Sequence, residues 1–290
     1  MIIKTSQGTR DDNIKLNSSY ALIGVVVVVA FTAGTALLLV LYSNTSLLPP
    51  SFDYRAFAQK EDNKTTTTAD NTTTTNLTSS NSTLIDFVSN IEQIRGHLNA
   101  AMMNKQTGNN SLAQAHTMHP IAEIYSSIEP QIANANMTLN QTLASNLNEL
   151  SQIVNSSTTD EFNTQAQKIN GLVNQTVKQV IPVQTANNST FALAVVADLL
   201  STASEEYDVA VENGTITNIL EYQDGQAFVS RAQDLMVQAS SSTGLPPQEQ
   251  TPDIEETNKL FSDLNTAIQN KSSPEAVDTS IRAIIQKISK

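Results

Sequence analysis

Two histidines stand three residues apart, at His116 and His119, and Glu123 follows four residues after the second. In an α-helix, positions i, i+3 and i+7 lie on one face. Imidazole nitrogens and carboxylate oxygens together suit Fe, Mn or Zn ions. The chain has three histidines in all, and the third, His97, lies in the helix predicted immediately upstream. The spacing therefore predicts one half of a metal site.

Three carboxylates fall on helix faces that the hydrophobic pattern assigns to the interior. Glu206 lies inside the apolar stripe of one helix, and Asp224 lies four residues before Phe228 on the next helix. Glu221 precedes Asp224 by three residues and shares its side of the helix. Buried carboxylates are costly unless they are paired or bound to a cation. We therefore predict that these carboxylates form the other half of the metal site.

Other interpretations of the same residues remain open. A single H-x-x-H is a weak signal, and the histidines could be surface or core-edge groups while the carboxylates pair with Arg231 or Lys105. Three methionines lie near the histidines in sequence, at Met102, Met103 and Met118. Thioether and imidazole ligands together would favour copper over iron. Methionines in such positions are more often core-filling residues.

The candidate ligands must be positioned by helices, and from residue 83 onward the apolar residues repeat with a helical period. The first apolar stripe is spaced at 3.6 residues and consists of Leu84, Phe87, Val88, Ile91, Ile94, Leu98 and Ala101. Ser111 is predicted to open the second helix, Pro120 to kink it and Pro130 to end it. Gly214 is a candidate helix cap. The pattern predicts an all-α bundle of about six to eight helices, with no convincing β segment.

The N-terminal region has a different composition. Residues 20–42 form an uncharged apolar run with tyrosine at both ends, long enough to cross a bilayer. Basic residues precede it, so residues 1–19 are predicted to be a cytoplasmic tail. Residues 43–82 are predicted to be a disordered stalk rich in Thr and Asn. We predict a metal-binding bundle at 83–240. We also predict a C-terminal helical hairpin at 241–290 that packs on this bundle.

Glycosylation signals favour an extracytoplasmic domain. Fourteen Asn-x-Ser/Thr sequons follow residue 42, roughly twice the number that chance would give. The alternative is a plain bias toward Asn and Thr. An A-x-A pattern at Ala56–Ala58 resembles signal-peptide ends of archaea, so the chain would be secreted if it were cleaved after Ala58. We otherwise expect a single-pass membrane protein.

Charge and composition exclude several classes of function. The net charge is −12 and the isoelectric point is about 4.6, which argues against a nucleic-acid partner but suits cations. There is no cysteine, so disulfides and cysteine-based metal sites are excluded. No nucleophile triad or phosphate loop is present, and we expect a protein that is not an enzyme.

Four segments resemble the extracytoplasmic helical domain associated with high-affinity iron permeases of bacteria and archaea. They are GHLNAA at 96–101, LAQAHTMHPIAEIY at 112–125, ASEEYDVAVENGTI at 203–216 and EYQDGQAFVSRAQ at 221–233. The resemblance implies that the metal ligands are His97, His116, His119, Glu123, Glu206, Glu221 and Asp224. The permease's R-E-x-x-E motif and its several membrane helices are missing, so channel activity is not implied.

The sequence therefore favours a membrane-anchored, extracytoplasmic metal-binding protein. Iron is the expected metal, with copper or zinc as alternatives, and a metal transporter is the expected partner. Capture, delivery or sensing of the metal would be its role. The alternative is a structural or adhesive cell-surface glycoprotein whose helical domain is a spacer.

Overall fold

The computed structural model describes residues 74–241 and 247–289, with side chains at 81–239 and 254–289. The predicted cytoplasmic tail at 1–19, the predicted anchor at 20–42 and most of the predicted stalk lie outside these residues. Within the described ranges, no helix combines the length and the hydropathy that crossing a bilayer requires.

The described chain is helical almost throughout, and the all-α prediction is confirmed. The helices are α1 (Thr74–Gln106), α2 (Asn110–His119), α3 (Tyr125–Ala135), α4 (Met137–Ile153), α5 (Thr159–Val180), the single-turn α6 (Val183–Ala186), α7 (Ser189–Ala210), α8 (Ile219–Ser241), α9 (Pro247–Gln269) and α10 (Pro274–Ile288). A π-helical turn, Pro120–Ile124, joins α2 to α3 without a loop.

Side-chain caps fix several of the helix starts. Asn109, Asn136 and Asn188 each accept a hydrogen bond from the first turn of α2, α4 and α7. Thr158 and Glu161 form a reciprocal capping box at the start of α5. Ser273 caps α10 directly before Pro274, which occupies the first position of that helix.

Three local predictions need correction. The helix α1 begins at Thr74, inside the segment predicted as stalk, because a helix nucleated by packed residues can extend into weak helix-forming sequence. Pro130 lies within α3 rather than at its end. The proline is exposed while Ile128 and Ile132 are buried, so the lost backbone bond faces solvent.

The third correction concerns Gly214, which is a turn residue rather than a helix cap. Within the described residues, strands occur only as an antiparallel hairpin of β1 (Val211–Glu212) and β2 (Thr215–Ile216). Asn213 and Gly214 have φ values of 51° and 73°. Asn-Gly is the favoured pair for the two left-handed positions of such a turn.

The first helix is the centre of the fold. It packs against α2, α5, α7 and α8, and its apolar stripe is buried as predicted from Phe87 to Ala101. The two C-terminal helices pack on α7 and α8: α10 contacts α7, and α9 contacts α8. Tyr207 and Tyr222 donate hydrogen bonds to the carbonyls of Ser272 and Ile268, which ties α7 and α8 to that pair.

Two glycines allow α8 to approach its neighbours closely. A Cβ atom on Gly96 of α1 would lie 2.6 Å from Cδ1 of Phe228, and one on Gly225 of α8 would lie 3.2 Å from the carbonyl oxygen of Ala203. The first distance is a clash and the second is tight. Since Gly96 precedes His97 and Gly225 follows Asp224, these contacts set the spacing of the predicted ligands.

Candidate metal centre

Three helices bring all three histidines to one buried carboxylate. Asp224 of α8 has no exposed surface, and its Oδ1 lies 2.7 Å from Nδ1 of His97 on α1 and 3.0 Å from Nδ1 of His116 on α2. Its Oδ2 lies 3.2 Å from Nδ1 of His119. The side chains of His97 and His116 are buried, and that of His119 is 13% exposed. The cluster therefore lies inside the protein, with one histidine at its edge.

Two of these close contacts, those of His97 and His119 with Asp224, lack the geometry of a hydrogen bond. Among the described residues, Nδ1 of His97, Nδ1 of His119 and Oδ2 of Asp224 are buried and have no hydrogen-bond partner. The same three residues each offer a ligand atom, and these atoms all lie within 4.8 Å of one another. Polar atoms that converge in a core without hydrogen bonds are left unsatisfied, which is costly. A metal ion between them would satisfy all three.

Electrostatics favour a charged carboxylate at the centre. Burial opposes ionisation of Asp224, but the three imidazoles beside it outweigh that effect and hold its pKa well below the usual value. Contact with Asp224 raises the pKa of His119, burial opposes this, and the charges of Glu123 and Glu221 add to the increase. The site thus has a strong preference for positive charge.

The carboxylates of Glu206 and Glu221 lie together at the edge of the cluster. Burial, a hydrogen bond with Glu221 and the charges of Glu221, Asp224 and Glu123 raise the pKa of Glu206 to about 8. Glu206 and Glu221 are half-buried, and Glu123 is exposed. The structure therefore brings all seven predicted residues into one region, with the histidines and Asp224 inside and the three glutamates toward solvent.

The π-helical turn shapes one side of this site. Pro120 has no backbone N–H, so it cannot donate the usual α-helical hydrogen bond to the carbonyl of His116. The N–H of Tyr125 bonds the carbonyl of Pro120, five residues earlier, which is the spacing of a π-helix. The sequence predicts that Pro120 kinks the helix, and the regular α-helix does end there in a wider π-helical turn. His116 and His119 occupy the last turn of α2, directly before this wider turn.

The sequence pattern did not identify two further polar residues at this site: Gln223 contacts the ring of His116, and Asn104 contacts Gln223. Nε2 of His116 lies 2.8 Å from Oε1 of Gln223, and the same oxygen accepts a hydrogen bond from Nδ2 of Asn104. Asn104 lies seven residues after His97, so the i+7 rule on α1 could have identified it. Gln223 directly precedes Asp224, and no spacing rule identifies such a neighbour.

The basic residues considered as alternative partners bind elsewhere. Arg231 contacts the carboxylates of Glu92 and Asp234, and Lys105 donates to the backbone carbonyls of Val154 and Ser157. The interpretation in which Arg231 or Lys105 neutralises the site carboxylates is therefore wrong for Asp224, whose ionic contacts are the three histidines.

The methionines near the histidines in sequence do not all lie in the core. Met103 is 65% exposed and Met118 is 51% exposed, while Met102 is half-buried against the core. The converging ligand atoms come from His97, His119 and Asp224. A set of imidazole and carboxylate ligands fits iron, manganese or zinc better than the soft-ligand set that copper(I) prefers.

A comparison with known families gives a match over part of the chain. Residues 182–290 match the family model of the iron permease-associated 4-helix bundle domain. This confirms the resemblance over α6 to α10, including the segments 203–216 and 221–233. Searches of curated proteins and of solved structures gave no match. The matched region contains Glu206, Glu221 and Asp224, whereas the three histidines and Glu123 come from the helices before it.

Proposed function

We propose that this protein binds a transition-metal ion, with iron as its principal metal, through His97, His119 and Asp224. The observation that carries the proposal is the convergence of three buried ligand atoms that lack hydrogen-bond partners. Two imidazoles and one carboxylate are a ligand set used for Fe(II) and for Zn. His116 lies against the same carboxylate and is a further candidate ligand.

The three glutamates would attract the cation and guide it inward. Glu123 is exposed, and Glu206 and Glu221 are half-buried beside the histidine cluster. Burial raises the pKa of Glu206, and the hydrogen bond with Glu221 and the negative charges of Glu221, Asp224 and Glu123 raise it further. A metal ion that passes this group would relieve the repulsion and lower that pKa. This supports a role in capture or delivery rather than in catalysis.

The family match suggests the biological setting. An iron permease-associated domain at residues 182–290 fits a protein that works beside an iron transporter, as a capture, delivery or sensing module. We propose that residues 20–42 anchor it and that the helical domain lies outside the cytoplasm, because of the basic flank and the sequons. Protease added to intact cells should then remove the helical domain. Protection of that domain would contradict this topology.

Metal-dependent stability tests the binding proposal. We would add Fe(II), without oxygen, to the full-length chain in mild detergent and follow helix melting. An ion that binds only the folded state should stabilise it by ~2.7 kcal/mol at a hundred-fold excess over Kd. For a domain of this size that is an increase in Tm of about 5–10 °C. The same experiment with Zn(II) and Mn(II) would rank the three metals by the increase in Tm that each produces.

The matched variants are Asp224→Asn and Asp208→Asn. Both remove one carboxylate charge, but Asp208 is exposed on α7 and Asp224 is buried at the site. Asp224→Asn should lose the metal-dependent increase in Tm, and Asp208→Asn should retain it. An equal metal-dependent increase in Tm in both variants would refute the proposal. The absence of any such increase in the parent would refute it as well.

A further inference from the structure

We infer that Gln223 and Asn104 position His116 by fixing its Nε2 as the protonated ring nitrogen, so that its Nδ1 serves as a ligand beside Asp224. The inference rests on the proposed metal binding and adds two positioning residues and the ring tautomer. It follows from a chain of hydrogen bonds that starts at a backbone carbonyl.

The first link sets the amide of Asn104. Its Nδ2 donates to the carbonyl oxygen of Ala100 at 2.9 Å. A backbone carbonyl oxygen can only accept, so the atom facing it must be the amide nitrogen. Asn104 is also 5% exposed, so solvent contributes little to its orientation.

The second link sets the amide of Gln223. Nδ2 of Asn104 lies 2.8 Å from Oε1 of Gln223, and Oδ1 of Asn104 lies 3.5 Å from Nε2 of Gln223. The reversed amide would place two donors face to face. Oε1 of Gln223 is therefore the atom nearest the histidine, and it is an acceptor.

The third link sets the ring of His116. Nε2 lies 2.8 Å from the Oε1 acceptor, so Nε2 carries the hydrogen in a neutral ring. The lone pair of that ring is then on Nδ1, which lies at hydrogen-bond distance, 3.0 Å, from Oδ1 of Asp224. An ionised carboxylate cannot donate to that lone pair, so the two acceptor atoms repel each other unless a cation lies between them. That separation suits two neighbouring ligands of one ion at metal–ligand distances of about 2.0–2.2 Å. Hydrogen bonds of this kind commonly fix the tautomer of a ligating histidine.

A zinc titration against a chromophoric chelator tests the inference, using the full-length chain and four variants. Gln223→Met removes the acceptor and Gln223→Glu keeps one. We expect Gln223→Met to weaken zinc binding about 10–100-fold, as loss of such an outer contact typically does. Gln223→Glu should bind at least as tightly as the parent. This rescue separates positioning from a purely structural effect.

A double-mutant cycle shows whether the effect passes through His116. In a His116→Ala background, Gln223→Met should change zinc affinity by less than about two-fold, because the residue that it positions is gone. An unchanged 10–100-fold loss in that background would overturn the inference. So would an unchanged affinity in the single variant Gln223→Met.

Nitrogen NMR of the zinc-loaded parent reads the tautomer directly and does not depend on any variant. The chain has three histidines, so selective ¹⁵N-histidine labelling gives three ring systems to assign. We expect His116 to carry its hydrogen on Nε2 and to show a zinc-shifted Nδ1. A hydrogen on Nδ1 would overturn the inference while leaving the proposed function intact. Failure of the parent to bind zinc or iron would instead refute the proposed function.

Discussion

Nδ1 of His97 lies 2.7 Å from Oδ1 of Asp224, although the two residues belong to α1 and α8. Both side chains are buried, and the ring of His97 also stacks edge-on against Phe228 with centroids 5.1 Å apart. The candidate metal centre is therefore part of the packing between the central helix and the domain that matches the iron permease-associated family. Metal binding and the docking of these two parts should be linked.

Substitution of His119 should separate metal binding from folding. Its side chain is 13% exposed, whereas those of His97 and His116 are almost fully buried. We expect His119→Ala to remove the metal-dependent increase in Tm while lowering the stability of the metal-free protein by less than ~1 kcal/mol. Met118→Ala is the matched control, because this neighbour on α2 is 51% exposed. A normal metal response in His119→Ala would exclude it as a ligand.

Gly96 should not tolerate a side chain. An added Cβ would lie 2.6 Å from Cδ1 of the buried Phe228, so we expect Gly96→Ala to destabilise the fold by about 1–3 kcal/mol through overpacking. It should also weaken metal binding, because it separates His97 from Asp224. Denaturant unfolding and metal titration measure the two effects.

The control for this prediction is Gly171→Ala. Gly171 lies within α5, and a Cβ atom there would meet nothing within 4 Å. Alanine is the better helix former by about 0.5–1 kcal/mol, so this variant should be more stable than the parent. If both alanine variants changed stability alike, the close approach at Gly96 would not matter.

Glu92 should make the fold sensitive to acid. The carboxylate is fully buried between two arginines. Its Oε1 lies 3.1 Å from Nε of Arg95, and its Oε2 lies 2.6 Å from Nη2 of Arg231. Burial opposes its ionisation, but the two guanidinium groups outweigh that effect and lower its pKa. The stabilisation is thus complete above the ordinary pKa of 4.5 and is lost as pH falls through the lowered pKa of the folded state.

We expect Glu92→Gln to cost about 3–5 kcal/mol at pH 7, since it removes the charge of a buried carboxylate that contacts the guanidinium groups of both Arg95 and Arg231. The variant should also lose less additional stability than the parent between pH 5 and pH 3. Asp263→Asn, which breaks the exposed pair with Lys259, should change stability by less than ~1 kcal/mol. A small effect of Glu92→Gln would show that this network contributes little.

The sequence predicts the helical class and the inward face of Asp224 because both depend only on the 3.6-residue period. Asp224 lies one turn before Phe228, and both are buried. Glu123 shows where the same rule fails. It is exposed although it follows His116 by seven residues, because the π-helical turn that begins at Pro120 has a wider period and rotates later residues.

Contacts between helices could not be predicted in the same way. His116 contacts Gln223 on α8, and Gln223 in turn bonds Asn104 on α1. Contacts between these helices depend on the close approach that Gly96 and Gly225 permit. No local pattern encodes that distance. The pairing of Arg231 could not be predicted either, because its partner Glu92 is remote in sequence and is brought near it only by the fold.

The most direct measurement of the central claim is anomalous X-ray scattering from crystals grown with zinc or, without oxygen, with Fe(II). We predict one strong peak at about 2.0–2.2 Å from Nδ1 of His97, Nδ1 of His119 and a carboxylate oxygen of Asp224. The peak should disappear in Asp224→Asn crystals and persist in Asp208→Asn crystals. Well-diffracting crystals with saturating metal but no peak at these three atoms, or with peaks only at exposed carboxylates, would contradict the account.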